Sequence, residues 1–183
     1  MRLTALTAVA AMAGVMTADA RVRPAAAYTL TICTDAVNQL EYVEAVGRAT
    51  RLFAGIGVRL AWRGASHCPA GGLRMSVSME TPANLHPGAL GYALPFDGTH
   101  IVLLWDRIQY SVPPSEHVNV LAHVMAHEIT HVLQGVTRHS EAGMMKAQWG
   151  RADYHSMTEG LPWSDDDLFL MRQGLERRGC STR

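Results

Sequence analysis

Polar and apolar residues alternate along Tyr28–Thr34 (YTLTICT), a period of two that with its β-branched and aromatic side chains predicts a strand. The period then changes: across Asn38–Gly57, Leu40, Val43, Val46, Thr50 and Phe53 recur at helical spacing, and Gly55 and Gly57 act as stop signals. Alternation returns in Val58–Gly64 and, after a Gly-Gly turn, in Leu73–Met79. Ala89–Pro95 is a short strand containing Gly91, Tyr92 and Ala93 and closed by proline, which suits a sheet edge. Thr99–Ile108 is a continuous apolar run, expected of a strand buried on both faces. A long helix follows, with Ser115 as N-cap, Val118, Leu121, Val124, Ile129 and Val132 behind it, and Gly135 where a C′ glycine ends a helix. Ser164–Arg178 is a second helix with a serine cap, three aspartates at the positive end of its dipole and arginines at the other. The order β-α-β-β-β-β-α-loop-α predicts an α+β, or mixed α/β, class with one main sheet. No repeat or linker interrupts it, so residues 28–183 read as one domain.

Composition narrows the partners. The chain has 183 residues, 48% hydrophobic and 17% charged, a globular balance. Basic and acidic residues number 16 each, so no basic excess points to nucleic acid or to an anionic membrane surface. Met1–Ala20 carries one arginine, an alanine-rich apolar run and a terminal Ala-Asp-Ala, the pattern of a cleaved signal peptide. Pro24–Ala27 offers a second cleavage site. The competing reading is a membrane anchor, but the run falls short of the ~20 residues a span needs. The expectation is a secreted or periplasmic protein without stable membrane association. Export permits disulfides. Of Cys33, Cys68 and Cys180, a Cys33–Cys68 bridge is the expected pairing, although the sequence leaves three pairings open.

The chemistry concentrates in Ala122–Met145 (AHVMAHEITHVLQGVTRHSEAGMM). His127 and His131 are four apart, so on a helix both imidazoles share one face one turn apart and can reach a single ion. Glu128 stands beside them without needing to coordinate, which makes H-E-x-x-H two zinc ligands and a general base. A left-handed Gly135 turns the chain back and carries His139 toward the same point. Three protein ligands with a fourth position left to water is the arrangement of catalytic zinc. Glu141, His155 and Glu159 are rival third ligands. His123 shares the helix face but lies eight residues from His131, about 12 Å of axial rise. One ion cannot span that, so His123 reads as a core or supporting histidine.

These residues resemble the metzincin-type zinc metalloproteases, in particular small secreted bacterial proteins with HE-x-x-H, an apolar stretch with glycine, then H-S-x-x-G-x-M. Here the pattern is His127, Glu128, His131, Gly135, His139, Ser140, Gly143 and Met145. The resemblance implies a twisted, mainly parallel sheet with an antiparallel edge strand, a backing helix, the active-site helix, a Met-turn and a C-terminal helix. It makes Met145 the Met-turn residue, with Met144 second. The usual spacing places glycine seven and the last histidine ten residues after the first. Here the offsets are eight, to Gly135, and twelve, to His139.

The function expected is zinc-dependent hydrolysis of a peptide or protein by a monomeric, exported metallopeptidase. His127, His131 and His139 hold Zn2+, Glu128 is the base, and an extended substrate pairs with Gly91, Tyr92 and Ala93. Trp149 and Tyr154 border the side-chain pocket or are ordinary core aromatics. Asp106 and Arg107 are an ion pair or a support of the site. The alternative from another class is a non-catalytic exported zinc-binding or interaction protein that keeps the fold.

Overall fold

The computed structural model describes residues 28–35, 40–94 and 99–180; the expected signal peptide lies outside them. Five strands form one sheet in the order β2-β1-β3-β5-β4: β1 (Tyr28–Thr34), β2 (Val58–Gly64), β3 (Leu73–Ser78), β4 (Gly91–Ala93) and β5 (His100–Leu104). The first four in that spatial order run parallel, and β4 pairs antiparallel with β5 at one edge. This is a mixed α/β fold with a mostly parallel sheet.

Helix α1 (Leu40–Gly55) connects β1 to β2, as parallel neighbours require a crossover. Its buried face is Tyr42, Ala45, Ala49 and Phe53. The expected stripe was offset, for Leu40 and Val43 are exposed. The two alanines lie on the face where α1 meets its neighbours, and their small side chains suit close packing there.

The apolar run Thr99–Ile108 is not one strand. The strand ends at Leu104, and Trp105–Ser111 forms helix α2. A continuous apolar run does not distinguish a strand from a buried helix. Trp105 and Ile108, three apart, are the buried residues of α2, which is helical spacing. Helix α3 (His117–Gln134) begins one residue later than the Ser115 cap predicts, with Glu116 at the N-cap. Pro113 and Pro114 set a single 3-10 turn over Pro114–Glu116 that absorbs the serine. At its other end Gly135 is left-handed, φ 69°, and its N–H returns to the carbonyl of His131. A short α4 (Arg151–Ser156) carries no apolar period that would predict it; the Asp153 carboxylate accepts the Gly150 N–H at its start. Helix α5 (Asp165–Arg177) has the predicted Ser164 cap.

Helices α1 and α3 pack against the sheet and each other, and α5 packs on α3. The last contact needs Gly174: a Cβ there would collide with the carbonyl of Leu133. Every residue of α3 from Val120 to Gln134 is buried. A helix enclosed on all sides must satisfy its polar groups locally. The Cys33–Cys68 disulfide is formed, and a Cβ on Gly72 would press on both sulfurs.

Candidate metal centre

Six polar side chains lie in the buried part of α3: His123, His127, Glu128, Thr130, His131 and Gln134. Three are bonded away from the cleft, although Gln134 Oε1 finds no partner among the described residues. His123 faces the Asn119 carbonyl with Nδ1 (2.7 Å) and accepts the Leu161 N–H at Nε2 (3.1 Å), so it pins the chain entering α5. Thr130 donates to Ala126 and accepts from Trp163 Nε1. Gln134 donates to Asp167. His127, Glu128 and His131 remain, and they face a cleft of about 1010 Å3.

Backbone carbonyls orient both rings. His127 Nδ1 lies 2.8 Å from the Met144 oxygen, and His131 Nδ1 lies 3.3 Å from the Val136 oxygen. A carbonyl only accepts, so each Nδ1 carries the hydrogen. Burial, reinforced by the neighbouring imidazoles, lowers the pKa of His127 to about 3 and of His131 to about 4, so both rings are neutral at pH 7. Each Nε2 therefore presents a lone pair, and the two nitrogens are 3.0 Å apart. Two acceptors this close with no hydrogen between them repel unless a cation sits against both. His139 completes the group: its Nε2 is 3.2 Å from that of His131, and all three donor atoms lie within 4.8 Å of one another. Two nitrogens bound to one zinc at 2.0–2.1 Å in tetrahedral geometry are about 3.3 Å apart. The donor set and spacing fit zinc.

Neutral imidazole is also the ligating form, and partial desolvation of the otherwise exposed His139 ring lowers its pKa as well. Among the described residues no other group of histidine, cysteine or acidic side chains gathers in this way; Glu141, His155 and Glu159 stand outside it. The longer spacing is accommodated by the chain reversal at Gly135, from which Val136, Thr137 and Arg138 lead to His139.

Glu128 makes no hydrogen bond or ion pair with any described residue, and burial alone pushes its carboxyl up to about 8. It lies against β4, where a Cβ on Gly91 would stand 3.1 Å from Glu128 Cγ. Only glycine lets that strand come so close to the helix. Leu104 N–H bonds Leu90, and Leu94 N–H bonds His100. Ladder bonding alternates along an antiparallel strand, so the backbone groups of Gly91 and Ala93 point away from β5, to the free edge.

The opposite wall is the stretch after a turn at Gly143–Lys146, where Met144 and Met145 are fully buried. Gly143 has φ 76°, and a Cβ there would strike the Pro162 carbonyl. The Met145 carbonyl accepts the Ser140 N–H at 2.7 Å, tying the turn to the residue after His139. Trp149 lines the cleft edge-on to His127, with ring centroids 5.3 Å apart, and Tyr154 lines it as well. Asp106 and Arg107 act on the loop above the cleft: Asp106 accepts from Thr81, and Arg107 donates to the carbonyls of His86 and Ala89. The loop so held leads into β4. The sequence singled out Asp106 and Arg107 as a pair or a support, and they support this loop. The two carbonyls that orient the imidazoles had no signature in the sequence.

No family model and no curated protein sequence matches the chain. Among solved structures it is similar to the crystal structure of archaemetzincin from Methanopyrus kandleri, with a TM-score of 0.56 and 14% identity, over 85% of this chain and 99% of that one. The chain thus has a zincin-like fold.

Proposed function

We propose that the chain is an exported, monomeric zinc metallopeptidase of the metzincin type, in which His127, His131 and His139 are the ligands and Glu128 the general base. The observation that carries the reading is the pair of facing Nε2 lone pairs on His127 and His131, 3.0 Å apart, with a third imidazole beside them. The fold shared with a protein that bears the metzincin name supports it. The Cys33–Cys68 disulfide supports an oxidising destination, in keeping with residues 1–20 as a signal peptide.

Bound zinc would supply Lewis acidity, lowering the pKa of a water and polarising the scissile carbonyl. Everything else falls to the protein. A Glu128 oxygen takes the proton of the attacking water and hands it to the leaving amine nitrogen. Burial alone favours the protonated carboxyl, which suits it to hold that proton between the two transfers; beside the charge of bound zinc, the ionised form needed for the first would be favoured. The outward N–H and C=O groups of Gly91 and Ala93 pair with an extended peptide, Tyr92 keeps that strand on the sheet, and the bond to be cut lies over the histidines. Met145, in the turn behind them, is the Met-turn residue.

A purely structural zinc site uses four protein ligands and has no need of a carboxylate without a partner in the cleft. Glu128, without a partner among the described residues, therefore favours catalysis over the reading of a non-catalytic zinc-binding protein. Digestion of a broad peptide library tests this: hydrolysis should stop with a chelator and return with zinc. Glu128→Gln should bind zinc normally and lose at least about 100-fold in turnover, the lower range for a general base. Undiminished turnover in that variant would refute Glu128 as the base.

A further inference from the structure

We propose that Asp167 is the positioning residue for the third imidazole, holding the His139 loop in ligating place through both of its neighbours; the inference rests on the three-histidine metal reading above. His139 differs from the other two histidines. It is exposed and lies beyond the end of α3, so neither burial nor a helical backbone fixes it. The residues on either side of it are fixed instead. Arg138 Nη1 donates to Asp167 Oδ1 at 2.8 Å. Ser140 Oγ reaches both carboxylate oxygens, at 3.1 and 3.0 Å. Gln134 Nε2, in the last turn of α3, donates to Oδ1 at 3.2 Å.

The two oxygens divide the work. Oδ2 accepts from the N–H and hydroxyl of Ser164 (3.1 and 2.7 Å) and so closes the cap of α5. Oδ1 gathers the end of α3 and both sides of His139. The Asp167 side chain is fully buried, and a buried carboxylate is costly unless each lone pair is used. A helix cap alone does not need a buried charge bonded to an arginine on another element. The loop accounts for that extra partner, since charge-assisted bonds to two residues flanking His139 restrict where its ring can go.

The test measures zinc affinity by competition with a chromophoric chelator, the d–d spectrum of the cobalt-loaded protein, and the melting temperature of the metal-free chain. Arg138→Met combined with Ser140→Ala removes the loop contacts and leaves the α5 cap intact. It should weaken zinc binding at least about tenfold and alter the cobalt spectrum, the range seen when groups supporting metal ligands are removed. Asp167→Asn should do the same. Ser164→Ala should lower the metal-free melting temperature and leave zinc affinity unchanged. Should the double variant bind zinc and cobalt as the parent does, the proposal is overturned while the three-histidine reading stands. Loss of zinc affinity in Ser164→Ala equal to that of the double variant would also overturn it, because Asp167 would then act only by holding α5. A parent chain that binds no zinc would sink both.

Discussion

Replacing Gly91 by alanine perturbs the proposed base without touching a proposed ligand. The new Cβ would stand 2.8 Å from Val124 Cγ1, 3.1 Å from Glu128 Cγ and 3.1 Å from the Val102 carbonyl oxygen. Carbon atoms in contact settle at about 3.5–4.0 Å, so β4 must retreat from α3 by at least roughly 0.7 Å, or the helix side chains must give way. Val124 is β-branched within a helix and strongly prefers one χ1 rotamer, so it yields little. The displacement therefore falls on the strand and on the Glu128 side chain. Overpacking of this kind costs about 1–3 kcal/mol of stability. Misplacing reacting groups by close to 1 Å costs on the order of 100-fold in rate, so turnover should fall about 10- to 100-fold. Zinc affinity should hold, because the alanine meets no histidine. Urea unfolding, peptide hydrolysis and zinc titration on the same preparation check all three. Parental stability and turnover together would refute the close approach, and lost zinc affinity would refute the claim that the perturbation reaches Glu128 and not the ligands.

Other expectations concern the scaffold. Removing the disulfide with Cys33→Ser and Cys68→Ser opens a loop with a sequence separation of 35, which by chain entropy costs about 4 kcal/mol, read as a lower urea midpoint. Gly174→Ala sets a methyl on the Leu133 carbonyl and should separate α5 from α3, with a fall in melting temperature larger than that of Gly91→Ala. Asp153 is raised by burial, but its hydrogen bonds from Lys146 and the Gly150 N–H, with the Lys146 charge, outweigh this and hold it below its ordinary 3.8. Its stabilisation is thus complete above that value and is lost as pH falls through the depressed one. Asp153→Asn should remove that acid-limb loss, worth less than about 1 kcal/mol for a partly exposed pair, in thermal melts from neutral pH into acid.

What the sequence made legible was what repeats or punctuates. His127, Glu128 and His131 could be placed together because helical spacing needs no tertiary information. The left-handed Gly135 and the Ser164 cap obey local backbone rules. His123 could be set aside on axial distance, and it is bonded elsewhere. Ambiguity arose where two local structures share a pattern: Trp105–Ser111 continues an apolar run but coils, and Ser115 is a good cap that the two prolines place in a 3-10 turn. Asp167 was visible only as one of three acids opening α5. That it reaches across to Arg138 and Ser140 depends on how α5 lies on α3, which no local pattern encodes.

The carbonyls of Met144 and Val136 aim two imidazoles by ordinary peptide hydrogen bonds, so the helix and turn settle the ring angles during folding itself. Capture of an ion by such a pair would be closer to docking than to assembly, with little chain entropy left to surrender. Fold and cargo would then be separable, and the proposed chemistry could be lost while this scaffold stayed whole.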